Sequence, residues 1–205
     1  MCITYLLVSN IYIRCVIPKQ KDTKEAILRI GAELIQQVGY NAFSYADIAK
    51  KLDIKNAAVH YHFPGKIDLY ESIVDGHIED YTVLAQQMAQ ATIASKAKLE
   101  LIFSRYSNLV DCDRICVIGA IAADYKILPP AVKEKVGTLV ALVLKLVEKT
   151  LQEGKRSGEF TFPETARTQT LLIMTNLSAG VQLARITGKK DFETIRKSIL
   201  KQLTA

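Results

Sequence analysis

The chain has 205 residues, 49% of them hydrophobic, which is enough for one large or two small domains with a buried core and too apolar for a chain that stays disordered. A net charge of +6 admits an anionic partner such as nucleic acid without requiring one. Cys2, Cys15, Cys112 and Cys116 stand at no zinc-finger or CxxC spacing. A chain this long needs no disulfide staples, so a cytoplasmic, reducing compartment is expected.

The opening stretch MCITYLLVSNIYIRCVI has thirteen apolar or aromatic residues among its seventeen, with Arg14 its one charge. A spanning helix needs about 20 apolar residues, and a secretory signal needs a basic start and a small-residue cleavage site. The stretch meets neither requirement, so no membrane partner is expected. Residues 1–18 are read as an apolar leader, disordered or incidental, with a packing arm as the other reading. The run PKQKDTK then places Lys19, Lys21 and Lys24 ahead of the first helix, either as a solvated charge run or as an arm on a polyanion.

From Asp22 onward apolar residues recur at helical spacing. Ile27, Ile30, Gly31, Leu34, Ile35 and Val38 mark a first helix that Asp22 and Glu25 can cap and Gly39 stops. Ser44 and Asp47 form a second capping pair, opening a short helix to Leu52 that turns Ile48, Ala49 and Leu52 inward with Phe43. After Asp53-Ile54-Lys55 a third short helix runs from Asn56 to His62, with Val59 and Phe63 as its apolar anchors, and Pro64-Gly65 ends it. A long helix follows from Lys66 to about residue 90. Further helices are expected over roughly 96–110, 114–125, 130–156, 163–187 and 191–203, punctuated by Pro129, Pro130, Gly158, Pro163 and Gly188. No alternating pattern competes with them outside the leader, so the fold class expected is all-α.

Two short helices joined by a tight turn and braced by a third are the layout that lowers one helix into a major groove. The positions expected to face outward are Tyr45, Lys50, Lys51, Lys55, Asn56, His60, Tyr61 and His62: cations, an amide, and aromatics with a polar handle. These suit phosphates and base edges. On periodicity alone a solvated helical hairpin explains the same residues.

The run AFSYADIAKKLDIKNAAVHYHFPGKIDLYESI, residues 42–73, resembles the N-terminal domain of the TetR (TetR/AcrR) family of transcriptional regulators, with HYHF, Pro64, Lys66 and Leu69 in that family's order. Beyond it the chain is similar only in length, helicity and general plan. The resemblance implies an N-terminal three-helix helix-turn-helix domain, residues 19–66, and a C-terminal helical effector-binding and dimerisation domain, residues 67–205. It implies double-stranded operator DNA as partner, with Ser44, Tyr45, Lys55, Asn56, Ala57, His60, Tyr61, His62 and Lys66 as contacts. Residues 56–62 would be the recognition helix, Ser44 would cap the second helix beside a phosphate, and Lys66 would meet the backbone. Three positions depart from the family's pattern: Asp53 where Gly is usual, Lys55 where Ser or Thr caps the recognition helix, and His60 where a phosphate-contacting Tyr is common.

LVALVLKLV, residues 139–147, is apolar except for Lys145, more than one buried helix face can use. TLLIMTNLSAGVQLA, residues 170–184, mixes large apolar residues with Thr, Ser, Ala and Gly that let another helix approach. Pairing the two across a two-fold axis gives a four-helix homodimer interface, with Leu139, Val143, Leu146, Val147, Leu172, Thr175, Ala179 and Leu183 as its candidates. The core of a monomer is the plain alternative. The resemblance further implies a small-molecule inducer of unknown identity, with Tyr81, Phe103, Tyr106, Cys116, Ile121 and Tyr125 as candidate wall residues that are otherwise ordinary core. CVIGAIAADY, from Cys116, is similar to the stretch carrying a reactive cysteine in some electrophile-sensing relatives, and Cys112 and Cys116 at i, i+4 would share a helix face. Buried, inert thiols are the simpler reading.

The sequence holds no phosphate-cradling Gly loop, no HExxH and no nucleophile elbow. No catalytic residue, metal or cofactor is expected. The function expected is a sequence-specific regulator, a repressor that an inducer releases from a palindromic operator. A dimeric regulator without an inducer, governed by a protein partner or by cysteine modification, is the rival.

Overall fold

In the computed structural model residues 22–204 are described, and the regular elements among them are helices. In chain order these are α1 (Thr23–Val38), α2 (Tyr45–Leu52), α3 (Asn56–His62), α4 (Lys66–Gln90), α5 (Ser95–Asp111) and α6 (Val117–Ile121). A 3-10 helix (Ala122–Ile127), α7 (Pro130–Ser157), α8 (Ala166–Thr187) and α9 (Lys189–Leu203) complete the series. The leader, Lys19 and Lys21 lie outside the described residues. None of the described helices is long and apolar enough to cross a membrane.

The described residues divide into two compact units, 22–80 with 116–140 and 81–115 with 141–204. In the first, α1 begins where the Asp22 carboxylate accepts the Lys24 N–H at 2.8 Å, satisfying one of the donors that every helix start leaves free. Ile27, Ile30, Leu34 and Ile35 are buried along one face. Val38, grouped with them by spacing, is 52% exposed; it is the last residue of α1, next to the Gly39 cap. Leu69, Tyr70, Ile73 and Val74 from α4, and Val117, Ile121 and Leu128 from the 116–140 stretch, are buried in the same unit.

The second unit is built on α5, α8 and α9. Glu159, in the connection after α7, accepts the N–H groups of Ser95 and Lys96 at 3.0 and 3.1 Å, doing for the start of α5 what Asp22 does for α1. Those bonds favour the carboxylate and hold Glu159 below the ordinary carboxyl range. Helix α8 turns into α9 at Gly188, and Phe192, fully buried, packs where a side chain at Gly180 would begin. Ion pairs Arg185–Asp113, Lys189–Asp111 and Arg196–Glu100 tie α8 and α9 to α5 and the residues just beyond it.

Two sequence expectations change here. Residues 114–125 are not one helix: Asp113 is left-handed (φ 50°), Cys116 is the N-cap of α6, and a 3-10 helix carries the chain on. Cys112 and Cys116 therefore do not share a helix face. On α7, Leu139, Val143, Leu146 and Val147 are at most 6% exposed within the single chain, so their burial needs no second subunit. The surplus apolar surface lies instead on α8, where Leu172 is 49% and Leu183 45% exposed, with Thr175 and Ala179 exposed between them.

Two glycines of α7 should respond oppositely to alanine. At Gly154 a Cβ would fall 2.1 Å from the Phe160 ring, and forcing that buried ring aside costs about 1–3 kcal/mol. At Gly137 nothing lies within 4 Å, so a better helix former there adds about 0.5–1 kcal/mol. Thermal unfolding should show Gly154→Ala lowering and Gly137→Ala raising the midpoint. Shifts of the same sign would contradict this account.

Candidate nucleic-acid interface

Phe43 is buried and hands the chain to Ser44, whose extended backbone (φ −124°) sets the entry into α2. The Asp47 carboxylate accepts both the N–H and the hydroxyl of Ser44 at 2.7 Å, and these bonds hold Asp47 below its ordinary value. Tyr45, Ile48 and Ala49 form the buried face of α2, leaving Lys50 and Lys51 exposed. The turn is closed by Asp53 in the left-handed region (φ 54°), where Asp is tolerated better than most residues, and by the Ile54 N–H donating to Ala49 O at 3.0 Å.

Helix α3 starts from Lys55 with no side-chain cap. Val59 is fully buried and Phe63, just past the helix, is 2% exposed. The opposite surface carries Lys55, Asn56, Ala57 and His60, all exposed, and Tyr61 at 84% exposed, with His62 half-buried. Ser44 also faces solvent. The His60 ring lies 3.4 Å through Nδ1 from Pro64 O. Of the positions expected to face outward, this gathers all but one.

Tyr45 is the exception: it is 6% exposed, not outward. It stands three and four residues before Ile48 and Ala49, so it shares their face, a spacing the sequence already carried. Its ring meets His60 edge-on at a centroid distance of 4.8 Å, and burial, with Asp68 and Tyr40 nearby, pushes its hydroxyl up to about 12. Tyr45 thus acts from behind, bracing a residue of the exposed helix.

Lys66 opens α4 and reaches back across the loop. Its Nζ donates to Phe43 O at 2.8 Å and lies 4.3 Å from the Phe43 ring centroid and 5.0 Å from that of Tyr40. Burial lowers its pKa, and the charges of Asp124 and Asp47 work against that. Sequence reasoning missed Tyr40, Asn41 and Asp124. Nothing in helical periodicity marks a loop residue or one from the 3-10 helix as neighbours of this lysine.

The six positions expected to line an effector cavity fall in both units. In the second, Phe103 and Tyr106 are buried, and the Arg105 guanidinium stacks 4.5 Å from the Tyr81 ring centroid. In the first, Ile121 is buried, Tyr125 is 42% exposed, and Cys116 is half-buried with its Sγ accepting the Gly119 N–H at 3.2 Å. A small cavity in the second unit is lined by Met88, Lys98, Leu146, Thr150 and Glu153 among others, none of them one of the six. Among the described residues no three or more His, Cys, Asp or Glu side chains gather to hold a metal ion.

Residues 27–73 match the family model described as bacterial regulatory proteins, tetR family. Those residues are a TetR-family DNA-binding domain. No curated protein matches it in sequence. Among solved structures, a TetR transcriptional regulator from Legionella pneumophila is 26% identical with a TM-score of 0.78, over 91% of this chain and 100% of that one. A TetR-family regulator from Agrobacterium tumefaciens is 25% identical with a TM-score of 0.80, over 89% and 97%. The fold also matches that of AibR, solved with isovaleryl coenzyme A and operator DNA, at a TM-score of 0.69 and 16% identity over 89% and 98%. The TetR-type surface built on α2 and α3 is accordingly that of a DNA-binding transcription regulator with a helix-turn-helix.

Lys66 and Asn56 should separate by what they contribute to that binding. Lys66→Ala removes a charge tied to the backbone of the loop, and is expected to weaken binding to all duplexes alike and to lower the slope of log K against log salt by about 1. Asn56→Ala removes an exposed amide from α3, and is expected to change preference at particular base pairs, each worth about 1–3 kcal/mol. Titrations against a panel of operator variants at several salt concentrations check this. Identical losses on every variant for both proteins would refute the division.

Proposed function

We propose that the protein is a homodimeric repressor that binds a palindromic operator and is released from it by a small-molecule inducer, with residues 19–66 reading DNA and residues 67–205 serving effector binding and dimerisation. The observation that carries the dimer is the uncovered face of α8. Leu171, Leu172, Leu183 and Ile186 are 43%, 49%, 45% and 86% exposed, and Thr175 and Ala179 lie between them. These positions recur at three- and four-residue steps, so they form one stripe. Its small residues permit close approach of a second helix. A stripe that pairs with its own copy makes a closed two-fold dimer, and two recognition helices related by that axis would meet half-sites roughly 34–36 Å apart.

What supports the inducer is coarser. Phe103 and Tyr106 give α5 a buried aromatic face, and AibR, which shares the fold, was solved with an acyl coenzyme A as well as its operator. An apolar ligand with a few polar atoms fits residues of this kind. Release would follow if the ligand bound the DNA-competent and incompetent states with unequal affinity.

The test is a charge placed in the stripe. Leu172→Glu with Leu183→Glu should convert a dimer into a monomer in sedimentation at micromolar concentration, and lower affinity for an inverted-repeat promoter fragment roughly 100-fold or more, because the second head loses its tether. A wild-type protein that sediments as a monomer would end the dimer reading. A thermal-shift screen of apolar acids and acyl thioesters tests the inducer: a true one raises the melting temperature by mass action and frees the fragment. A hit that stabilises the protein and leaves the fragment bound counts against release.

A further inference from the structure

Within the first unit side-chain hydrogen bonds join positions far apart in sequence: Lys135 Nζ donates to Asp75 Oδ2 at 2.7 Å, and Asn41 Nδ2 donates to Asp124 Oδ2 at 2.9 Å. Asn41 lies in the short loop between α1 and α2, and Asp124 in the 3-10 helix that follows α6. The same loop is held from its other end, where Phe43 O accepts the Lys66 ammonium. On either side of these two ties the chain leaves α1 at Gly39 (φ 94°) and enters α2 at Ser44, so the loop fixes the direction in which α2 and α3 depart. The charge of Asp124 also acts on Lys66 and on Tyr40, whose ring meets that of buried Tyr70 edge-on at a centroid distance of 5.9 Å.

We propose that Asn41 and Asp124 are positioning residues for the DNA-reading helices: their hydrogen bond makes the 3-10 helix part of the scaffold that sets α2 and α3 at the angle the operator requires. The inference rests on the DNA-binding reading above. Neither residue is assigned a DNA contact. The bond is solvent-exposed, and exposed polar pairs contribute little to global stability. Its effect therefore appears in geometry, which specific binding senses steeply, and hardly in melting. A 3-10 helix has poorer internal hydrogen bonding than an α-helix, so its own position depends on such side ties, the Lys133 ammonium on Lys126 O at 2.8 Å being another.

A swap of the two side chains tests this. The probe is an inverted-repeat duplex that the wild-type protein selects from a random-sequence pool, with an unrelated duplex as the non-specific control. Asn41→Asp sets a carboxylate against the Asp124 carboxylate, and should lower affinity for the selected duplex about tenfold, as like charges forced together do. The melting temperature should stay within about 2 °C. Asp124→Asn leaves an amide oxygen for Asn41 to donate to, and should stay within about threefold of wild type. Combining both substitutions restores a donor and an acceptor in exchanged places, and should return affinity to within about twofold of wild type. The inference is overturned if Asn41→Asp costs nothing, or if the combined variant binds no better than Asn41→Asp alone. In the second outcome the new carboxylate at position 41 repels phosphates directly, and the loss would appear equally on the unrelated duplex. A wild-type protein that enriches no duplex would instead overturn the DNA-binding reading itself.

Discussion

A helix of two turns does not hold its shape alone in water, because the cost of nucleating it exceeds what so few hydrogen bonds return. Helix α3, from Asn56 to His62, is of that length, and it exists because Val59 is completely buried and Phe63 nearly so. Everything the surface offers to DNA depends on that anchor. One apolar residue in the middle of the helix holds it down, and Asn56, Ala57, His60 and Tyr61 are left pointing away. The anchor also limits the interface. A side chain that reads a base edge from this helix must do so from the few positions that burial does not claim.

The polar part of the head works under the opposite constraint. Lys66 is drawn partly out of water by the Phe43 and Tyr40 rings and the Phe43 carbonyl, and that desolvation lowers its pKa. A fixed ammonium loses less conformational freedom on meeting a phosphate than a free one does, so its partial burial is a form of preorganisation. Asp47, which is exposed, is held instead by the two hydrogen bonds that Ser44 donates to it. Tyr45 shows how apolar support reaches the polar surface: its ring lies under His60, while its hydroxyl is among the buried polar atoms with no hydrogen-bond partner. That position favours a large aromatic for its shape and gains nothing visible from the oxygen.

In the second unit the same economy of surfaces decides what is left for a partner. Helix α7 sinks Val143, Leu146 and Val147 into the chain's own core, and Phe160 fills the space that a glycine at position 154 leaves open. Helix α8 buries Ile173, Met174, Leu177 and Val181 on one side. Its other side is then too apolar for a surface that meets only water, and this contrast within one helix is what supports the proposed subunit contact on α8.

Much of this was fixed by order along the chain. The helices, their stops at Gly39 and Gly188, the pairing of Ser44 with Asp47, and the lysine, amide and imidazole character of the reading surface all follow from local preferences and from the period of apolar residues. Even the burial of Tyr45 is written in its spacing from Ile48 and Ala49, against the outward contact that its hydroxyl suggests. Tertiary structure alone decided which apolar face meets which. Periodicity says that a face must be covered and cannot say by what, so it could not tell that α7 would be satisfied inside the chain while α8 kept a bare stripe. Nor could it split residues 114–125 into a short α-helix from Val117 and a 3-10 helix, or bring Asp124 to Asn41 and Lys66, since those neighbours are set by how the chain folds back and not by any local rule.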